Sequence, residues 1–285
     1  MKKAALRSTV YVHLDSGLHS AINDKRQLPP TVVRAERTIS GKVESVVLKL
    51  VQRDEWEIHR FLSDILSRCN HTIPILDHLD LRLGMERIIA MPQEMMLRDV
   101  PNSVFETNGN DLAGQFFEGV EFMHQHLVAH LDLKPDNVVV TADTRARIID
   151  LGVSVRVSQP EEWIEGYRGT EGWAAPEVEK GKYQPIRADL WSMGRMAEYF
   201  ADRQGADSES PLKSVANRLL NHEPLRRSFL YRANQPLKSK RKRDVGAQEK
   251  EEVKRKCVQP GTHTVPQDTA QHSEFNTCYG TPIWT

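Results

Sequence analysis

The chain has 285 residues, enough for one bilobal domain or two small ones, and its 39% hydrophobic and 27% charged content is that of an ordinary soluble globular fold. Lysine plus arginine number 39 and aspartate plus glutamate 39, so the formal net charge is zero and no global field points to nucleic acid or to a membrane surface. No apolar run approaches bilayer-spanning length, the basic start lacks the apolar core of a secretory signal, and Cys69, Cys257 and Cys278 show neither metal spacing nor a disulfide framework, which sets a reducing intracellular compartment as the expectation.

Residues 9–14 (Thr-Val-Tyr-Val-His-Leu) are β-branched and aromatic and predict a first strand. A polar connection with one glycine, Gly17, leads to Pro30. Val32 to Ile39, the turn Ser40-Gly41-Lys42 and Ser45 to Val51 then read as a hairpin. Its second arm carries Lys49, and a strand lysine ordinarily faces solvent. A helix is predicted from about Asp54 to Arg68, because Ile58, Phe61, Leu62, Ile65 and Leu66 recur at helical spacing. His71 has no second ligand nearby at useful spacing and reads as structural. Arg87 to Pro92 predicts a strand, and Asp111 to His126 a helix whose stripe of Leu112, Phe116, Val120 and Met123 belongs to a core. A further helix is predicted from Leu212 to Asn221. Beyond about Gln235 the chain turns to Lys, Glu, Gln, Thr and Pro, the composition of a disordered tail. Its basic cluster at 238–243 reads equally as a nuclear import signal or as a solvated charge run.

The most informative segment is His130-Leu131-Asp132-Leu133-Lys134-Pro135-Asp136-Asn137, followed thirteen residues beyond Asn137 by Asp150-Leu151-Gly152. Between them lie a strand (Val138 to Val140), a turn and a second strand (Arg145 to Ile149), a hairpin that brings Asn137 and Asp150 to one end. Two hard oxygen donors held in this way suit Mg²⁺, which takes few protein ligands plus phosphate oxygens and water. Asp132, outside that pair, is left to orient a hydroxyl.

These residues resemble the catalytic and metal loops of eukaryotic protein kinases, whose patterns are H-R-D-x-K-x-x-N and D-F-G. Gly169-Thr170-Glu171-Gly172-Trp173-Ala174-Ala175-Pro176-Glu177 resembles the G-T-x-x-Y-x-A-P-E end of a protein-kinase activation segment, and Ala188-Asp189-Leu190-Trp191-Ser192-Met193-Gly194 the helix after it. The resemblance covers about Thr9 to Leu230. It implies an α+β, bilobal fold: a small β-rich N-lobe at 9–91, a mainly helical C-lobe at 92–230, and the tail at 235–285. It implies ATP and Mg²⁺ as cofactors and a protein substrate with a serine or threonine hydroxyl. Asp132 would be the catalytic base and Lys134 would steady the moving phosphoryl group. Asn137 and Asp150 would hold the metal. Lys49 would hold nucleotide phosphates, clamped by Glu57 of the following helix, with Glu55 the runner-up. Only eight residues separate Lys49 from Glu57, so the link into that helix must be short. Met91 would be the gatekeeper, and Pro92, Gln93 and Glu94 would face the adenine edge. Lys134-Pro135 and Thr170 resemble the serine/threonine subclass. Glu177 would pair with Arg227, Asp189 would cap the catalytic-loop backbone, and His130, Leu151 and Phe61 would pack. No membrane, nucleic-acid or oligomeric partner is indicated, so a monomer, cytoplasmic or nuclear, is expected.

The sequence departs from the family at three places. The connection between the first two strands offers one glycine where G-x-G-x-x-G is expected. Leu131 replaces the arginine that gathers a phosphorylated activation loop. From Asp189 to Arg227 the chain spends only about 38 residues, and a helix of the C-lobe is expected to be missing. Two function classes follow: a small active serine/threonine kinase, or a catalytically weak pseudokinase that acts as a binding scaffold.

Overall fold

The computed structural model describes residues 10–13 (backbone only), 31–39, 41–81 and 86–227. All of them lie in Met1–Gln235, the first of two units into which the chain divides. The glycine-poor connection, the tail at 235–285 and its basic cluster fall outside the described residues.

The first half of the fold is an antiparallel sheet. Strands β1 (Val10–His13), β2 (Val32–Ile39), β3 (Lys42–Gln52), β4 (Asp77–Leu81) and β5 (Glu86–Pro92) are ordered β1-β2-β3-β5-β4. Gly41, at φ 80°, makes the tight β2–β3 turn that a side chain would strain. Helix α1 (Arg53–Ser63) follows β3 with no residue between. Lys49 lies opposite Ile89, and Val47 opposite Met91. Facing pairs share one side of a pleated sheet. That side packs Val51, Ile89 and Met91 against Trp56 of α1 and Ile73, with Val47 at the margin. Lys49 is therefore turned toward the helix rather than to solvent.

The predicted helix at 54–68 ends five residues early. Asn70 donates its side-chain amide to the carbonyls of Leu62 and Ile65, at 2.8 and 3.2 Å, which closes the helix end. Leu66, counted as a core position from its spacing, is 99% exposed. His59 faces inward on α1 and bonds the Ile73 carbonyl at 2.7 Å. Burial pushes its imidazole down to about 4, so it stays neutral at ordinary pH.

The second half is mainly helical. After β6 (Met95–Met96) comes α2 (Asn102–Gln125), which starts nine residues before the predicted Asp111. Pro101 sets the helical entry, Phe105 extends the buried stripe by about two turns, and Arg203 bonds the Asn102 side chain. Strands β7 (Val128–Ala129), β8 (Val138–Val140), β9 (Ala146–Ile148), β10 (Val155–Arg156), β11 (Ile164–Glu165) and β12 (Lys182–Tyr183) are short and pair as β6-β8-β9, β7-β10 and β11-β12. Helices α3 (Pro185–Arg203) and α4 (Pro211–Leu219) complete the described chain. The main core joins Leu112, Phe116, Val120 and Met123 of α2 to Met193, Met196 and Phe200 of α3 and to Val138 and Ile148 of the hairpin. The layout is the α+β, bilobal one expected. Among the described residues no helix is long and apolar enough to cross a membrane.

Candidate active site

The β8–β9 hairpin and the loop before it build the site. The Ile149 N–H donates to the Asn137 carbonyl at 3.0 Å, so the metal-ligand candidates Asn137 and Asp150 meet at one end of the hairpin. The loop itself is anchored from below. Asp189, fully buried on α3, accepts the N–H groups of His130 and Leu131 at 2.6 and 2.7 Å and the His124 imidazole at 2.9 Å. His130 accepts the Asp132 N–H on Nδ1 and donates from Nε2 to the Ile149 carbonyl, at 3.2 and 3.0 Å. Leu131 and Asp150 both sit at positive φ, 66° and 62°, a backbone cost that functional loops tolerate when their surroundings fix them.

Asp132 receives three donors: Thr170 Oγ1 on Oδ1 at 2.6 Å, and Lys134 Nζ and Asn137 Nδ2 on Oδ2, each at 2.8 Å. Lys134 also donates to Thr170 Oγ1 at 2.6 Å. Thr170 is thus tied to the loop before β8 through its hydroxyl. Gly169 makes the approach possible, because a Cβ there would lie 2.5 Å from the Leu131 carbonyl oxygen, and its φ is 107°.

Lys49 bridges the two halves. Its Nζ lies 2.5 Å from Glu55 Oε1 and 2.7 Å from Asp150 Oδ1. Burial pulls the ammonium down, but Asp150 and Glu55 outweigh it and hold it above the ordinary lysine value. Burial pushes Glu55 up, more than Lys49 pulls it down. For Asp150 burial also pushes up, but Lys49 wins and the carboxyl stays below its usual range.

The expected clamp Glu57 is corrected here: the partner of Lys49 is Glu55. Because α1 begins at Arg53, Glu55 lies on the turn that faces β3, whereas Glu57, two positions on, points to solvent and pairs with Arg53 at 2.7 Å. Removing the Glu55 charge takes away a charge-assisted bond of about 1.5–3 kcal/mol, or about ten- to hundredfold in affinity. We therefore expect Glu55→Gln to weaken nucleotide binding by that factor and Glu57→Gln to leave it near wild type, read by calorimetric titration with Mg²⁺ and ATP.

Met91 is buried on the same side of the sheet as Lys49. Gln93 is exposed, and its N–H donates to the Ser45 carbonyl at 3.2 Å. Its carbonyl, not its N–H, remains for an adenine edge. His71 lies 2.9 Å from Glu118.

Mg²⁺ fits the donors at the hairpin end. Asn137 gives both amide hydrogens to Asp132, at 2.8 Å to its carbonyl and 2.8 Å to its carboxylate, so its oxygen is what remains for a metal. Asp150 Oδ1 takes Lys49 and the Gly152 N–H, while Oδ2 has no hydrogen bond among the described residues. One neutral and one anionic oxygen, both hard, make a donor set for Mg²⁺.

Packing and ion pairs hold the segment from Asp150 to Glu177. Leu131 packs in an apolar cluster with Ala129, Ala175, Val178, Tyr183 and Ala188. The Arg156 guanidinium lies 4.0 Å from the Phe61 ring centre on α1. Arg227 forks onto Glu177 at 2.5 and 2.8 Å, as the sequence led one to expect. Not foreseen were an Arg98–Asp136 ion pair on the loop before β8 and two exposed aromatics, Trp163 and Tyr167. Two aromatics in a glutamate-rich stretch are the signal that could have found the latter.

A family model described as protein kinase domain matches residues 80–251, more than half of the chain. Serine/threonine-protein kinase 17A of Oryctolagus cuniculus is 33% identical over 156 residues, covering 53% of this chain and 36% of that protein. Serine/threonine-protein kinase pak-1 of Caenorhabditis elegans is 25% identical over 202 residues, 69% of this chain and 33% of that protein. Serine/threonine-protein kinase 10 of Danio rerio is 26% identical over 175 residues, 57% and 18%. The chain spans about a third or less of the length of these relatives.

Proposed function

The chain belongs to the protein kinase domain family, and from that premise we propose that it transfers the γ-phosphoryl group of ATP to serine or threonine hydroxyls of protein substrates, with 9–91 and 92–230 as its lobes and as a monomer inside the cell. The observation that carries the reading is the connected set Lys49–Glu55–Asp150 and Asp132–Lys134–Thr170–Asn137, each member bonded to another in the set.

Asp132 orients the accepting hydroxyl and takes its proton as the oxygen–phosphorus bond forms and the bond to the β-phosphate breaks. Lys134, bonded to Asp132 and Thr170, places positive charge beside the group in transit. Lys49, fixed by Glu55, binds the α- and β-phosphates. Asn137 and Asp150 would hold Mg²⁺, which when bound would neutralise phosphate charge. Thr170 fixes Asp132 and supports the serine/threonine assignment.

The test is a thermal-shift titration. ATP with Mg²⁺ should raise the melting temperature more than ATP alone, because a ligand that binds only the folded form adds about 2.7 kcal/mol at a hundredfold excess over its Kd. Equal shifts with and without metal would sink the metal assignment. The scaffold reading rests on the single glycine of the first connection, Gly17, and on the short stretch from Asp189 to Arg227.

Activity should not need phosphorylation of the segment from Asp150 to Glu177. Ser154 is buried and donates to the His130 carbonyl, Thr170 is taken up in the site, and Leu131 cannot gather a phosphate. Phosphatase-treated protein is expected to keep its rate in a peptide assay. A large loss that returns on rephosphorylation would show that another basic residue gathers the phosphate.

A further inference from the structure

The activation segment buries its other large apolar side chains or half-buries them, yet leaves Trp163 58% and Tyr167 51% exposed. They flank β11, whose Ile164 packs into the apolar cluster under the segment. Alternation about Ile164 sends Trp163 and Glu165 to the other side, and Tyr167 follows the bend at Gly166, whose φ is 92°. Tyr167 is three residues from Thr170, which is bonded to Asp132, so this surface borders the catalytic carboxylate.

The charge on it is one-sided. From Glu161 to Lys182 the chain carries Glu161, Glu162, Glu165, Glu171, Glu177 and Glu179 against Arg168, Lys180 and Lys182. Arg168 is turned to the Val153 carbonyl. Glu177 is taken by Arg227, Glu162 by Ser158, and Glu165 lies 3.7 Å from Lys182. Glu161, Glu171 and Glu179 are exposed and have no ion-pair partner among the described residues. The charges acting on Tyr167 are Glu179, Glu171 and Asp132, all acidic, and after burial they push its phenol up.

We propose that Tyr167 and Trp163, with Glu171 and Glu179, form a docking face for the substrate, and that its occupant is a basic segment whose arginines or lysines flank the accepting hydroxyl. Guanidinium groups stack on exposed aromatic rings and pair with carboxylates, so one cation type satisfies both features of the face. An apolar partner fits less well, because Glu165 separates the two rings. A phosphate-rich partner would be repelled. This inference rests on phosphoryl transfer at Asp132 and names the substrate class for that site.

The test reads binding apart from chemistry. A fluorescein-labelled peptide with one serine between arginines, and the same peptide with glutamates in their place, are titrated with the full chain without nucleotide, and anisotropy is followed. The arginine peptide is expected to bind with an affinity that falls as salt is added, and the glutamate peptide to bind far more weakly. Glu171→Gln with Glu179→Gln should weaken the arginine peptide by about three- to tenfold, Trp163→Ala by about threefold, and Glu209→Gln, on a different surface loop, not at all. The glutamine pair changes no packing, so it decides the matter should Trp163→Ala melt early. Equal affinity for both peptides, or an unchanged affinity in the glutamine pair, overturns the proposal. If the arginine peptide binds as expected but is never phosphorylated, the kinase reading fails and the docking face stands.

Discussion

Asp132→Asn is expected to lower the rate of phosphoryl transfer by about 10²- to 10⁴-fold, the range of a positioned proton acceptor, while ATP binding and the fold survive. Asp132 accepts from Lys134 and Asn137 on one oxygen and from Thr170 on the other. An asparagine can keep its oxygen toward Lys134 and Asn137 and donate its amide to the Thr170 hydroxyl, which is able to accept. What it cannot do is take a proton. Asp150→Asn should behave differently, weakening metal-dependent nucleotide binding as well as rate, since that carboxylate faces Lys49 and the metal donors. The measurement is incorporation of radiolabelled phosphate into a basic protein, with the three proteins purified alike. Wild type and Asp132→Asn equally inactive on a broad panel, both binding ATP, would establish the scaffold reading.

Arg227→Ala should cost about 3–5 kcal/mol of stability, the range for stranding one partner of a buried ion pair. Arg227 is fully buried, forks onto Glu177, donates to the carbonyls of Asn221 and Arg187 at 2.8 and 3.0 Å, and lies over the Trp191 ring at 5.2 Å. Truncation strands a nearly buried carboxylate and takes one donor from each of the two carbonyls. Arg227→Lys should recover little, because a lysine cannot fork. An apolar pair, Glu177→Leu with Arg227→Met, should recover much of the loss, since the cost lies in the stranded charge and not in the pair's net worth. Urea unfolding followed by tryptophan fluorescence reads all three. A loss below about 1 kcal/mol for Arg227→Ala would place the pair among solvent-screened surface bridges.

The catalytic loop was legible in the sequence because its chemistry is local: Asp132, Lys134 and Asn137 lie within six residues, and the hairpin to Asp150 is a short-range turn. Glu55 was harder. Choosing it over Glu57 requires the phase of α1, which depends on where β3 stops, and strand and helix boundaries are set by tertiary contacts. The end of α1 was misjudged for a related reason. Ile65 and Leu66 keep helical spacing, but the Asn70 side chain has already taken the carbonyls that would continue the helix. The early start of α2 was hidden by poor helix formers, Thr107, Asn108, Gly109 and Asn110. Gly109 is there because Gln204 lies against it, 2.6 Å from where a Cβ would be. No window of sequence reveals a contact ninety-five residues away.

The absence of any residue between β3 and α1 has a mechanical consequence. A helix that is to swing its glutamate off the strand lysine needs slack at its mount, and here the mount is Gln52, paired with Glu86 in the ladder, with Val51 opposite Arg87. Glu55 stands only six positions from Lys49. Further along, His59 is tied to Ile73 and Leu62 to Asn70. To move outward, α1 would have to peel the end of β3 from its neighbour or unwind its own first turn, at about 1 kcal/mol for each ladder bond lost. It is a lever welded to its pivot, and its rest position is the engaged one.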